Sequence, residues 1–281
     1  MTFPELWSSL DQPRIAAEVH SPDMNDVDLA EARDCVYQAC TAWLERDLTT
    51  FVVTGVEEAY ADEKFKCVFD LRGQLKLEQT HKSFKPYGGE GFILDWKTTA
   101  GALDARWAER LIASWQWRLY TMLPPVPALF MYRGIRRPSN LEEQSKIWLR
   151  ELILEVPAGN PDESAEFLRL MHAKRDFWVN SGELVWPRNM PVACVAYNST
   201  CAFYEDCNHY TMPRQKLVET GPLSYSSIML LQSCEEKFRR LRLLRQEGED
   251  GGDETDSTRF GSAVHRGLAE VYRQAFKLKE N

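Results

Sequence analysis

Ile93-Leu94-Asp95-Trp96-Lys97-Thr98-Thr99 sets a carboxylate and a lysine two residues apart at the end of an apolar run. Strand side chains alternate with period two, so an apolar strand over 92–96 delivers Asp95 and Lys97 to one side. Charges on a buried strand are costly unless they are paired or used. The tripeptide alone leaves two readings open. In one, the carboxylate holds Mg²⁺ or Mn²⁺ and the lysine positions a water or offsets charge on a phosphate. In the other, a strand ends in an ordinary salt bridge.

Working outward, residues 51–60 and 65–78 read as strands rich in Val, Phe and Leu, and 81–91 as a Gly/Pro loop. Residues 104–122 read as a helix that places Gln116 and Tyr120, four apart, on one face. A Pro-rich break precedes a strand at 128–135. Helices are expected at 24–46 and 161–180, the second with Pro161 in its first turn. Segment 186–222 carries three cysteines, several prolines and no period. Two helices follow, 224–245 with Ser224 as N-cap and 260–276, joined by the acidic run 247–256. Strands with longer helices at both ends predict an α/β fold with a mixed central sheet.

The 281 residues are 44% hydrophobic and 27% charged, which suits one large domain or two small ones. The net charge of −8 argues against non-specific coating of nucleic acid. It leaves room for a local basic patch, and Lys237, Arg239, Arg240, Arg242 and Arg245 form one. No apolar run reaches the roughly 18 residues a transmembrane helix needs. No basic-then-apolar leader opens the chain. A cytoplasmic or otherwise intracellular protein without membrane association is expected, with its seven cysteines as thiols or metal ligands.

Taken together, Glu57 ending a strand, Asp95-Trp96-Lys97-Thr98 and Gln116-x-x-x-Tyr120 resemble the core of the PD-(D/E)XK nuclease superfamily, in its RecB-like, Cas4-like and AddB-like exonuclease branch. Residues 223–241 resemble that family's opening helix, and Gly261-x-x-x-His265 its histidine motif. These two pieces come last here and first in the family, which a circular permutation explains; a truncated second copy or a fragment of a fusion is the other explanation. The resemblance implies three segments: a nuclease core at 1–185, a Cys-rich segment at 186–222 and a permuted helical part at 223–281. It implies that Asp95 and His265 hold Mg²⁺ or Mn²⁺, that Lys97 positions a water, that Glu57 supports the site, and that Gln116 and Tyr120 brace it or contact DNA. Cys194, Cys201 and Cys207 with Cys234 resemble the ligands of the iron–sulfur members, which implies a [4Fe–4S] cluster or, alternatively, Zn²⁺. Unliganded thiols are the plain reading of the same four residues. Arg239, Arg240 and Arg242 are either a solvated helix face or phosphate contacts.

The implied activity is metal-dependent hydrolysis of DNA phosphodiesters, single-stranded or at duplex ends, in recombination, repair or phage DNA processing, with a homo-oligomer as a compatible state. The family's Gly-x-x-Asp aligns with Gly73-Gln74-Leu75-Lys76, which sets a lysine where relatives carry an acid. That register favours the alternative function, a catalytically impaired nuclease-fold protein acting as a nucleic-acid-binding or structural iron–sulfur or zinc module.

Overall fold

The computed structural model describes residues 2–78, 81–137, 148–181, 195–196, 199–200, 221–243 and 256–277. The chain divides into two compact units: Met1–Ala59 with Val68–Pro161 and Glu254–Asn281, and Tyr60–Cys67 with Asp162–Asp253.

The first unit is built on the sheet β1 (Phe51–Ala61), β2 (Phe65–Leu75), β3 (Gly91–Thr99), β4 (Leu129–Arg136) and β5 (Trp148–Glu155), in that spatial order. β2 and β3 are antiparallel, β3 and β4 parallel, and β4 and β5 antiparallel. The sheet is therefore mixed, as expected. The parallel pair requires a crossover, supplied by α4 (Ala105–Ile112) and α5 (Trp115–Thr121). β3 and β4 are covered on both faces, which explains their near-continuous apolar runs, whereas the first halves of β1 and β2 alternate buried and exposed.

One face is covered by α1 (Phe3–Ser9), α2 (Gln12–Val19), α3 (Asp26–Thr50) and α9 (Asp256–Ala275). Leu94, Trp96 and Met131 pack there with Val36 and Leu44 of α3 and Val264 and Leu268 of α9. α9 comes close to its neighbours because Gly267 carries no side chain. A Cβ there would lie 2.6 Å from Val19 Cγ2 and 2.8 Å from Val36 Cγ2. The C-terminal helix also packs against β3.

The opposite face carries α4 and α5. The helix expected over 104–122 is two helices, because Ser114 caps the second: its Oγ accepts from the Gln116 N–H at 3.1 Å. In this unit α1, α2 and β5 have no counterpart in the sequence reading.

The second unit contains α6 (Asn160–Ser181), the backbone pair β6 (Val195–Ala196) and β7 (Ser199–Thr200), the short β8 (Leu223–Ser224), α7 (Tyr225–Ser233) and α8 (Glu235–Phe238). A π-helical turn follows over Arg239–Leu243. β8 pairs parallel with the start of β2, Phe65 opposite Leu223. The continuous helix expected over 224–245 breaks at Cys234, whose extended backbone closes α7. Among the described residues no helix is long and apolar enough to cross a membrane.

Candidate active site

The site is built on β3 in the first unit. Asp95 is 4% exposed and points to the α5 face. Its Oδ1 accepts from Gln116 Nε2 at 2.8 Å, so the first turn of α5 fixes the carboxylate plane. Its Oδ2 has no aligned hydrogen-bond donor, and its contact is the Lys97 ammonium at 2.6 Å. Lys97 also lies 5.8 Å from the centre of the Tyr132 ring, within cation–π range.

The neighbouring strand supplies a second acid. The antiparallel pairing of β2 and β3 runs as far as Leu71 and Leu94, and Asp70 and Asp95 follow it on their strands, near enough for the Asp95 charge to act on Asp70. Asp70 Oδ2 accepts from the Trp96 N–H at 2.7 Å. From the helical side, His265 Nδ1 stands 3.7 Å from the same oxygen, too far for a hydrogen bond. The spacing Gly261-x-x-x-His265 has a physical reason here. A Cβ at Gly261 would meet Thr98 Oγ1 at 2.6 Å, so the glycine lets α9 press against the end of β3. One turn later the imidazole reaches the carboxylates.

Burial raises the Asp70 carboxyl well above its ordinary value, and the Asp95 charge pushes the same way, against Lys97 and the Trp96 N–H. Burial lowers His265 to about 4, against the pull of Asp95, so at neutral pH the imidazole is uncharged and its lone pair available. Glu57 adds negative charge near Asp70 and pairs with Arg273 of α9 at 3.2 Å. Its backbone sits in the left-handed region, φ 48°, inside a strand. A non-glycine residue there costs of order 1 kcal/mol or more, which ties Glu57 to this arrangement rather than to plain strand pairing.

Two acids, a lysine and a neutral imidazole therefore gather at one place. Among the described residues no three His, Cys, Asp or Glu side chains stand close enough to enclose a metal ion as they are. The ligand types that a hard divalent cation takes, carboxylate oxygens beside an imidazole nitrogen, are nevertheless present. Asp95 Oδ2 is a buried oxygen without an aligned donor. Asp70 retains a proton more readily than usual, first because it is buried and then because the Asp95 charge lies near it, and a bound cation would offset the second effect as the proton does.

Lys76 is not part of the site, and the register that placed it there is corrected. Its Nζ donates to the Leu48 carbonyl at 2.7 Å at the far end of β2. The acid that the neighbouring strand brings to Asp95 is Asp70, six residues before Lys76. A carboxylate between Phe69 and Leu71 on an apolar strand carries the same signal as Asp95 between Leu94 and Trp96.

Tyr120 is 8% exposed and packs edge-on against Phe69 and Phe130, so it braces α5 on the sheet rather than facing a DNA chain. In the second unit Arg239 and Arg240 are buried, at 7% and 1% exposure, which withdraws them from a phosphate backbone. Arg242 is exposed, with Nη2 3.5 Å from Ser226 Oγ. Cys234 is a buried free thiol. Cys194, Cys201 and Cys207 lie outside the described residues, and no chemical step is derived from a cluster. Cys35 and Cys40 are buried in α3, as expected of packing residues, with thiols pushed up by burial.

Comparison with protein-family models, with curated proteins and with solved structures finds no match to this chain.

Proposed function

We propose that this protein is a divalent-metal-dependent nuclease that hydrolyses DNA phosphodiesters. The observation that carries the reading is the meeting of Asp70, Asp95 and Lys97 from adjacent strands with His265 from α9. Asp70, Asp95 and His265 would hold Mg²⁺ or Mn²⁺, which supplies Lewis-acid charge beside a phosphoryl oxygen. Gln116 orients Asp95. Lys97, half-buried and fixed by Asp95, presents a positive charge where phosphate charge develops, in a setting that excludes much of the water. Glu57 and Arg273 support the acidic side. The PD-(D/E)XK resemblance joins this reading as a proposal. With Lys76 at the far end of β2, the feature that favoured a catalytically impaired module no longer supports it.

End-labelled single-stranded and duplex DNA, incubated with the protein and Mn²⁺ or Mg²⁺, tests the proposal. Cleavage is expected with the metal, none with a chelator, and none with Asp70→Asn. DNA binding without cleavage under every metal condition would establish the binding-module alternative instead. Cleavage that survives Asp70→Asn and Lys97→Met would refute the site.

A further inference from the structure

α9 brings His265 to β3 from a distant part of the chain, and two turns further on the same helix makes a directional buried contact. The Tyr272 hydroxyl donates to Asp47 Oδ2 of α3 and accepts from Arg133 Nη1 of β4 at 2.8 Å. Arg133 Nη2 also donates to Asp47 Oδ1 at 2.7 Å, and its Nε to Glu151 Oε1 at 2.8 Å. Asp47 and Arg133 are fully buried and Tyr272 is 1% exposed. Apolar packing alone is non-directional and leaves a helix some freedom to rotate or slide. Hydrogen bonds to a charged pair in a dry interior fix an angle as well as a distance.

His265 and Tyr272 are seven residues apart, close to two helical turns, and both approach one ring. The Trp96 ring centre lies 6.2 Å from that of His265 and 5.4 Å from that of Tyr272. Trp96 is also the residue whose N–H holds Asp70, and it stands between Asp95 and Lys97 in the chain. We propose that Tyr272 is a positioning residue for His265. The Asp47–Arg133 pair grips its hydroxyl, sets the rotation of α9 against Trp96, and so fixes the imidazole relative to Asp70. The functional part of this inference rests on the nuclease reading; the geometric part does not.

Tyr272→Phe keeps the ring against Trp96 and Phe276 and removes only the hydroxyl. Side-chain NMR of the five histidines in metal-free protein reads the geometry directly, with the His265 signal assigned by its loss in His265→Gln. The His265 ring resonances should move in Tyr272→Phe while those of His172, in the other unit, stay. Leu6→Ala, a core truncation in α1, should lower the melting temperature without moving them. Asp47→Asn, which keeps an acceptor for the hydroxyl, should give a smaller shift in the same direction and serves if Tyr272→Phe does not fold. Catalysis gives the second reading. Tyr272→Phe should lower kcat about 10-fold, the scale of an outer support to a ligand, with KM for DNA unchanged, and should cost nothing further in a His265→Gln background. An unmoved His265 signal, or losses that multiply in the double variant, would overturn the proposal. If the unmodified protein neither binds Mn²⁺ nor cleaves DNA, the nuclease reading fails, and the resonance comparison still decides the positioning claim.

Discussion

Asp70 and Asp95 lie on neighbouring antiparallel strands, each just past the Leu71–Leu94 pair, and burial first, then the Asp95 charge, makes Asp70 harder to ionise. The folded protein therefore holds the Asp70 proton more tightly than the unfolded chain, whose carboxyl titrates near the ordinary value of 3.8. Stability must then fall as pH rises from about that value through the folded one, because the native state is the one that binds more protons there. Asp70→Asn removes this titration and retains an acceptor for the Trp96 N–H. The metal-free variant should match the wild type near pH 4 and melt higher at pH 8. Mg²⁺ should raise the wild-type melting temperature at pH 8 and leave the variant's unchanged. A variant less stable than wild type at pH 8 would count against crowding of the two acids.

His265 contributes the opposite slope. The unfolded imidazole takes its proton near 6.5 and the folded one only at about 4. Between those values the unfolded chain binds more protons, so this contribution is present above 6.5 and is lost as pH falls to 4. With 27% of the side chain still exposed, the loss is ~2 kcal/mol by pH 4. Thermal or urea denaturation from pH 7 to 4 should show a shallower acid limb in His265→Gln. In the wild type, Asp70 and His265 partly cancel over this window, so each single variant unmasks the other's slope.

Much of this arrangement was legible from residues alone, because it rests on periodicity. The alternation along β1 and the apolar runs of β3 and β4 are periodic signals that the chain follows, whereas His265 came from a resemblance and not from a period. What was not legible depended on pairing between segments. The register of β2 against β3 decides whether Asp70 or Lys76 faces Asp95, and a sequence states no register. The break between α4 and α5 hangs on one serine side chain that reads as an ordinary helix residue until its hydroxyl is seen capping. α1 and α2 are too short to establish a period, at seven and eight residues. The exposure of Arg242 against the burial of Arg240 turns on a π-helical turn, which the helical pattern does not announce.

Lys76→Asp separates the two registers experimentally. Under the Gly73-based alignment it would create a metal ligand and increase cleavage. In the structure Lys76 lies six residues from Asp70, roughly 20 Å along the strand, and its ammonium bonds the Leu48 carbonyl. The substitution should therefore cost about 1 kcal/mol for that hydrogen bond. Mn²⁺ affinity, read by isothermal titration, should not change, nor should the cleavage rate. Tighter Mn²⁺ binding would restore the discarded register.

Lys97 is the residue at which stability, metal binding and chemistry should move in different directions. Its ammonium is the contact of Asp95 Oδ2, while Gln116 already satisfies Oδ1. Lys97→Met leaves the buried Asp95 carboxylate facing Asp70 without its nearby positive charge. Breaking a fully enclosed ion pair costs about 3–5 kcal/mol, but the Lys97 side chain is 30% exposed, so solvent screens the pair and ~2 kcal/mol is expected. That cost should shrink toward acid pH, where the carboxyl pair takes up a proton and no longer needs the ammonium. A divalent cation would replace the lost charge, so Mn²⁺ should bind the variant at least as tightly as the wild type and recover part of the lost melting temperature. The cleavage rate should nevertheless fall by about 100-fold or more, the scale seen when a preset charge is removed from beside a developing one. Melting curves with and without Mn²⁺, beside single-turnover cleavage, give all three readings on one preparation. Weaker Mn²⁺ binding in the variant would mean that Lys97 organises the acids for the metal; an unchanged cleavage rate would mean that it serves Asp95 alone.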